Sequence, residues 1–412
     1  MTTSRVSSKN MEIERLRAIA ILLVLNAHSP YLRSALPKWL LDSWMGVDLF
    51  FVISGYVVSQ SLLRTLPAFQ FGVHWQTWFS SVKRPLFEFY ARRFFRIIPA
   101  ASAWMAVYIG IAAVFDEQLS GHPRQLLIES LYVLSGLYNY INAYFHYFEV
   151  YYLGHYWSLT VEEHFYLILP WLLIFFPSRR GRIITVLASI MVVICVLRPF
   201  IPLVGEHVSR WSFLIFTSHR RFDALFLGVL LGLLRVQAPH KTDPVSLPIR
   251  LMGMLITVAA TLAIAAFPFL APDPFRVNLG LTCAAMLGVL LVWLASLERG
   301  LVFEIPIFSS ILEYIGSRSY SMYLAHIAIL VIMLHNANHH GPIFPTWLLN
   351  SSMGGVALFM IFVSLTTLAA EVSYRWIEKP IIEYGKIKIA RSSMYSRQST
   401  SYETQASKVP GT

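Results

Sequence analysis

The chain has 412 residues, of which 56% are hydrophobic and only 13% charged, where a soluble protein carries about 25% charged. So few charges cannot solvate a soluble particle of this length, which excludes an array of soluble domains and points to a multi-pass membrane protein. The excess of 33 Lys+Arg over 22 Asp+Glu, net +11, is read as basic loops held on the cytoplasmic face; without zinc-finger spacing, a basic helix or an aromatic sheet signature, no nucleic-acid partner is expected.

A crossing needs about 20 mostly apolar residues. In chain order such runs fall at 16–34, 44–63, 97–115, 157–176, 183–201, 222–236, 250–270, 278–296, 319–335 and 354–374. This predicts an all-α integral membrane fold of about ten transmembrane helices. A weaker run at 125–145 is interrupted by Glu129, Asn139 and Asn142. The basic stretch Lys83–Arg96 and the turn Arg179–Arg182 are both placed in the cytoplasm by the positive-inside rule. An even number of crossings must lie between them, and 97–115 and 157–176 already supply two. The 125–145 segment is therefore expected to be a re-entrant or interfacial helix, and both termini to be cytoplasmic.

The domain organisation that follows is a polar segment at 1–11, one transmembrane domain over 12–384, and a basic, disordered cytoplasmic tail at 385–412. Glu378-Lys379 ahead of Pro380 is expected to end the last helix. Cys195 and Cys283 each lie in an apolar run and read as small buried hydrophobes. The first run holds Arg17 and His28 and lacks a small-residue cleavage site, so it is not a removable signal. No internal repeat is visible, which argues against an inverted-repeat transporter.

Ionisable groups inside spans are costly and mark functional sites by default. Arg17 and His28 are eleven positions apart, which puts them on one helix face about 16 Å apart along the axis. Under this topology Arg17 sits near the cytoplasmic face and His28 beyond the midplane. Asp48, Glu162 and Glu163 fall in the outer half, as do Arg221 and Asp223, which are expected to pair with each other, and His326 lies mid-span. Carboxylates, histidines and arginine at one depth suit proton transfer, and would equally serve a proton-coupled transporter. His335, His339 and His340 are loosely spaced with no carboxylate near in sequence, so no metal site is expected.

The segments around these residues resemble the acyltransferase-3 family of integral membrane O-acyltransferases over roughly 12–384. Arg17 and His28, separated by ten residues, are similar to the family's first-span motif, and GVDLFFVISGY at 46–56 to its second-span signature. Phe89-Tyr90 with Arg92, Arg93 and Arg96 before Pro99 resembles its arginine-rich entry to the third span. WSLTVEEHFYL at 157–167, RRFDALFLG at 220–228, SRSYSMYLAH at 317–326 and SYRWIEKP at 373–380 follow in the family's order. Glu14 and Arg15 replace the usual Asp-Gly, Ala325 a common aromatic, and His164 a common glutamine.

The resemblance implies transfer of an acyl group, most often acetyl, from cytosolic acyl-CoA to a hydroxyl of a sugar, polysaccharide or glycoconjugate at the outer side of the plasma (inner) membrane. His28 is the candidate base, with Asp48 or Glu162/Glu163 to orient it and His326 as a second catalytic or positioning group. Arg17, Lys83, Arg84, Arg92, Arg93 and Arg96 offer cations for the phosphates of CoA. Many members carry a C-terminal SGNH hydrolase-like domain. This sequence ends soon after its last span, so the acceptor is expected directly at the membrane or through a separate partner protein. Alternative readings are a proton-coupled transporter or flippase of a glycan or small molecule, and acylation of a non-carbohydrate small molecule.

Overall fold

The computed structural model describes residues 9–66, 74–114, 122–145, 152–176, 178–199, 210–235, 245–270, 274–339 and 351–391. Helix α1 (Met11–His28) starts where the Asn10 side chain accepts from the Ile13 amide at 3.1 Å, satisfying one orphan donor of the first turn. One residue into the helix, the Glu12 carboxylate accepts the backbone amides of Gly300, Leu301 and Val302 at 2.8–3.1 Å. Gly300 sits at φ +72°, a conformation glycine reaches without a Cβ clash. Arg15 completes the anchor, bonding Glu313 at 2.7 Å and the Val302 carbonyl at 3.0 Å.

The following helices are α2 (Gly46–Thr65), α3 (Trp75–Val114), α4 (Pro123–Leu134), α5 (Tyr138–Phe145), α6 (Trp157–Phe175), α7 (Arg179–Val192) and α8 (Phe222–Arg235). After them come α9 (Leu247–Leu270), α10 (Pro274–Ser296), α11 (Phe308–Ser317), α12 (Ser319–His339) and α13 (Ser352–Ser373). Among the described residues, seven helical stretches, built on α2, α3, α6, α7, α9, α10 and α13, are long and apolar enough to cross a membrane. An eighth arises if α11 and α12, bent by 78°, count as one. The other two expected crossings, α1 and α8, are helical in the expected places but fall short of that standard. Glu12, Glu14, Arg15 and Arg17 interrupt α1, and α8 has 14 residues, about 21 Å. Both are packed against protein rather than lipid, so neither needs an apolar surface all round.

Two boundaries differ from expectation. The stretch Lys83–Arg96 is not a loop before the third span: α3 runs unbroken for 40 residues and includes it. Nor does the last helix stop at Glu378-Lys379. It passes through a π-helical segment, Tyr374–Glu378, and continues to Arg391. Pro380 has no amide hydrogen to give an α-helical bond. The bulge just before it, where the Lys379 amide bonds the Tyr374 carbonyl, lets the helix go on. The expected tail therefore begins helical, and 392–412 lies outside the described residues. Cys283 is half-buried, whereas Cys195 is exposed, because its helix presents most of its surface outward.

Segment 125–145 forms two short helices, α4 and α5, broken at Gly136 (φ +73°), neither of crossing length. Asn139 ties α5 to the Phe216 carbonyl (3.0 Å) and Ser218 hydroxyl (2.7 Å). A chain of contacts gathers the basic segments at the opposite end: Asn10 to Ala295 (2.9 Å), Arg235 to Ser296 (2.9 Å) and Arg179 to Leu233 (3.2 Å). The turn at Arg179 thus shares an end with the start of α1, as the charge parity requires.

Helices α2 and α8 meet at backbone distance. A Cβ built on Gly55 would lie 2.0 Å from the Leu225 carbonyl oxygen, and one on Gly228 would lie 2.2 Å from that of Val52. Gly228 and Gly232 on α8 face Gly55 and Ser59 on α2, the small-xxx-small pattern that lets membrane helices approach at backbone distance. Gln60 donates to the Gly232 carbonyl at 2.8 Å. Gly228→Ala should destabilise the purified protein by about 1–3 kcal/mol through overpacking, read as a lower unfolding midpoint in detergent. Gly110→Ala, whose Cβ would meet nothing within 4 Å, should be neutral.

Candidate active site

A cavity of about 110 Å³ lies between α1, α2, α3, α6 and α12. One end is cationic. Arg17 comes from α1, and Arg93 and Arg96 come from one face of α3 because they are three residues apart. Arg17 is steadied by Glu14 at 2.8 Å, and the Arg93 guanidinium lies 5.1 Å from the Tyr166 ring centroid and 5.7 Å from that of Phe89. Glu162 lines the same cavity. Its carboxylate accepts from Tyr166, whose hydroxyl also meets Ser54 at 2.6 Å. Glu163, 100° around α6, is not among the lining residues.

The other end is neutral and hydroxylic. Ser158 and Tyr323 line it, with Phe50, Phe51 and Leu159 for walls. Their hydroxyls lie 2.6 Å apart, and the Tyr323 hydroxyl donates to the His155 carbonyl at 2.6 Å. Against Tyr323 stands a group of three imidazoles. His28 and His326 rings are 4.9 Å apart between centroids, His155 and His326 5.0 Å, and Tyr323 and His326 5.6 Å. His155 and His326 are buried, while His28 is half-buried.

The tautomers follow from the backbone. His28 Nδ1 lies 2.9 Å from the Val24 carbonyl, one turn back on its own helix. His326 Nδ1 lies 2.7 Å from the Tyr323 carbonyl. A carbonyl oxygen only accepts, so in both rings Nδ1 carries the proton and Nε2 presents a lone pair. The group that orients His28 is therefore this carbonyl, in the place where a carboxylate was expected.

Asp48 belongs to a different assembly. At the first turn of α2 it accepts from Arg221 at 3.0 Å, both side chains being fully buried. The Arg221 guanidinium also lies 5.5–5.8 Å from the Trp44, Phe51 and Trp157 ring centroids. Asp223, expected to pair with Arg221, instead takes Arg198 at 2.6 Å. Two residues apart at a helix start, Arg221 and Asp223 point to different neighbours. Arg198 also bonds the Arg220 carbonyl (2.8 Å) and Thr282 (2.7 Å), so each of its three guanidinium nitrogens has a partner.

Of the six cations expected to hold phosphate, Arg17, Arg93 and Arg96 converge on the cavity. Lys83, Arg84 and Arg92 do not line it; Arg84 and Arg92 both pair with Glu88, at 3.1 and 3.3 Å. His155, Ser158 and Tyr323 were not singled out from the sequence. Ser158 and Tyr323 lie inside the quoted motifs, and His155 two residues before one, but a neutral side chain in an apolar run gives no charge signal. His164, the departure after the paired glutamates, meets Ser218 at 2.7 Å and lies beside Tyr140, so it helps seat α5. Among the described residues no group of three or more His, Cys, Asp or Glu is arranged to hold a metal ion; His340 lies outside them.

These features define a multi-pass α-helical membrane protein with a buried site that is cationic at one end and, at the other, lined by hydroxyls that a group of imidazoles backs. The chain belongs to the acyltransferase-3 family: the family's acyltransferase-domain model matches residues 10–370. It is 26% identical over 378 residues to the O-acetyltransferase OatA of Staphylococcus aureus strain NCTC 8325 / PS 47, covering 90% of this chain and 57% of that protein. It is 28% identical over 404 residues to the peptidoglycan O-acetyltransferase OatA of Listeria monocytogenes, covering 93% and 58%. The chain thus spans rather more than half the length of these curated relatives. No solved structure matches it.

If Asp48 is architectural, Asp48→Asn should cost about 3–5 kcal/mol of stability by leaving Arg221 buried without its counter-ion. Thermal unfolding in detergent reads this. Unchanged stability with lost activity would return Asp48 to the catalytic set.

Proposed function

We propose that the chain transfers an acetyl group from acetyl-CoA on the cytoplasmic side to a glycan hydroxyl on the outer side. The observation that carries this reading is the cavity itself, which begins at three arginines and ends in hydroxyls packed against histidines. The names of the relatives support acetyl as the group and a glycan as acceptor. Guanidinium groups at Arg17, Arg93 and Arg96 suit the phosphates of CoA, while the thioester enters the neutral part of the cavity.

The chemistry then needs one base and one leaving-group proton. His28 Nε2, on a half-buried ring, takes the acceptor's hydroxyl proton. The acceptor oxygen bonds the acyl carbon, the carbon–sulfur bond breaks, and the same proton passes to the departing thiolate. His326, fully buried and packed against both His28 and Tyr323, holds that ring in place. This separation along α1, Arg17 for the donor and His28 for the acceptor, is why one helix carries both.

The test uses protein purified into vesicles, labelled acetyl-CoA and soluble glycan strands. Label should appear in the glycan with release of CoA. His28→Ala should lower kcat by about 10²–10⁴-fold with the protein still inserted. Arg93→Ala should raise the KM for acetyl-CoA, and Arg84→Ala should leave it unchanged. Proton-coupled flux of a glycan with no acyl transfer would replace this reading with a transporter.

A further inference from the structure

Acyl transfer through a tetrahedral intermediate needs a donor aimed at the developing oxyanion, and the residues named so far supply none. The arginines sit at the wrong end of the cavity. Near them, the Tyr166 hydroxyl is held by Glu162 and Ser54, and Tyr320 donates to the Ile97 carbonyl at 2.7 Å. At the imidazole end the cavity-lining hydroxyls are those of Ser158 and Tyr323.

Those two are not equivalent. Tyr323 gives its hydrogen to the His155 carbonyl at 2.6 Å, a strong bond to a buried acceptor. Ser158 approaches the same carbonyl only at 3.4 Å and meets the Tyr323 oxygen at 2.6 Å. With the Tyr323 hydrogen committed to that carbonyl, the 2.6 Å contact makes Ser158 the donor to the Tyr323 oxygen. Turning that hydrogen into the cavity exchanges a bond to a neutral phenol oxygen for a stronger one to an oxyanion, and the His155 carbonyl keeps its donor. Tyr323 in turn packs against both His155 (5.4 Å) and His326 (5.6 Å), and His326 against His28, which ties the serine to the imidazole group.

We propose that Ser158 is a catalytic residue, donating its O–H to the thioester carbonyl oxygen as that oxygen becomes anionic, and that Tyr323 is the positioning residue that holds it at the cavity wall. This rests on the acyl-transfer reading above. In the addition step the acceptor oxygen bonds the acyl carbon, the carbonyl π pair moves onto oxygen, and Ser158 hydrogen-bonds that oxygen without giving up its proton. The hydroxyl proton goes to His28. On collapse the pair re-forms the carbonyl, the carbon–sulfur bond breaks, and His28 returns the proton to sulfur. Ser158 is unchanged throughout.

Acetyl transfer is measured for wild type, Ser158→Ala and Ser158→Thr in vesicles, with unfolding midpoints recorded alongside. Ser158→Ala should lose about 10²–10³-fold in kcat with the KM for acetyl-CoA and the shape of the pH profile unchanged. Ser158→Thr, which keeps the hydroxyl, should recover most of that loss. An Ala variant as fast as wild type overturns the assignment. So does a Thr variant as slow as Ala when both keep the wild-type midpoint, since the serine would then act by shape. Inactive wild type is a different outcome: it removes the acyl-transfer reading, and this assignment falls with it.

Discussion

The contact on which the rest of the site depends is the backbone-to-backbone approach of α2 and α8. Gly55 and Gly228 each leave no room for a side chain against the other helix. The two helices are pinned further at both ends, by the Asp48–Arg221 pair at one and Gln60 on the Gly232 carbonyl at the other. A helix fixed this firmly along one edge can present a constant opposite face. That face of α2 supplies Val47, Phe50, Phe51, Ser54 and Val57 to the cavity. With no hydrophobic drive between helices in lipid, such close packing and internal polar bonds are what hold them together.

The buried ionisable groups divide into two kinds that sequence position alone does not separate. Asp48, Arg198, Arg221 and Asp223 are matched in sign, nearly inaccessible and bonded to one another across helices. Arg17, Arg93, Arg96 and Glu162 border a space large enough to admit a ligand. The first set fixes one end of the bundle. The second is arranged around something the chain itself does not provide.

Much of the architecture was legible because apolar run length and charge asymmetry are strong signals. The parity of basic loops placed 125–145 outside the crossings, and α4 and α5 are indeed too short to cross. Arg17 and His28 could be paired because eleven residues is close to three helical turns. What could not be read was partner choice. Arg221 and Asp223 look like a pair in sequence, but a helix start aims them at α2 and at Arg198 instead. Helix ends were also misplaced where a proline suggested a stop, since the π-helical turn before Pro380 is a tertiary accommodation. His155 was missed because its meaning lies entirely in meeting His28 and His326 from other segments.

The division of charge along the cavity has an electrical consequence. Moving a unit charge through a membrane potential costs about 2.3 kcal/mol per 100 mV. In this arrangement the guanidinium groups keep any anionic part of a donor at one end, and only an uncharged acyl carbonyl need reach the imidazoles. Under the proposed reaction, traffic across the midplane is electroneutral, so its rate should not respond to the membrane potential.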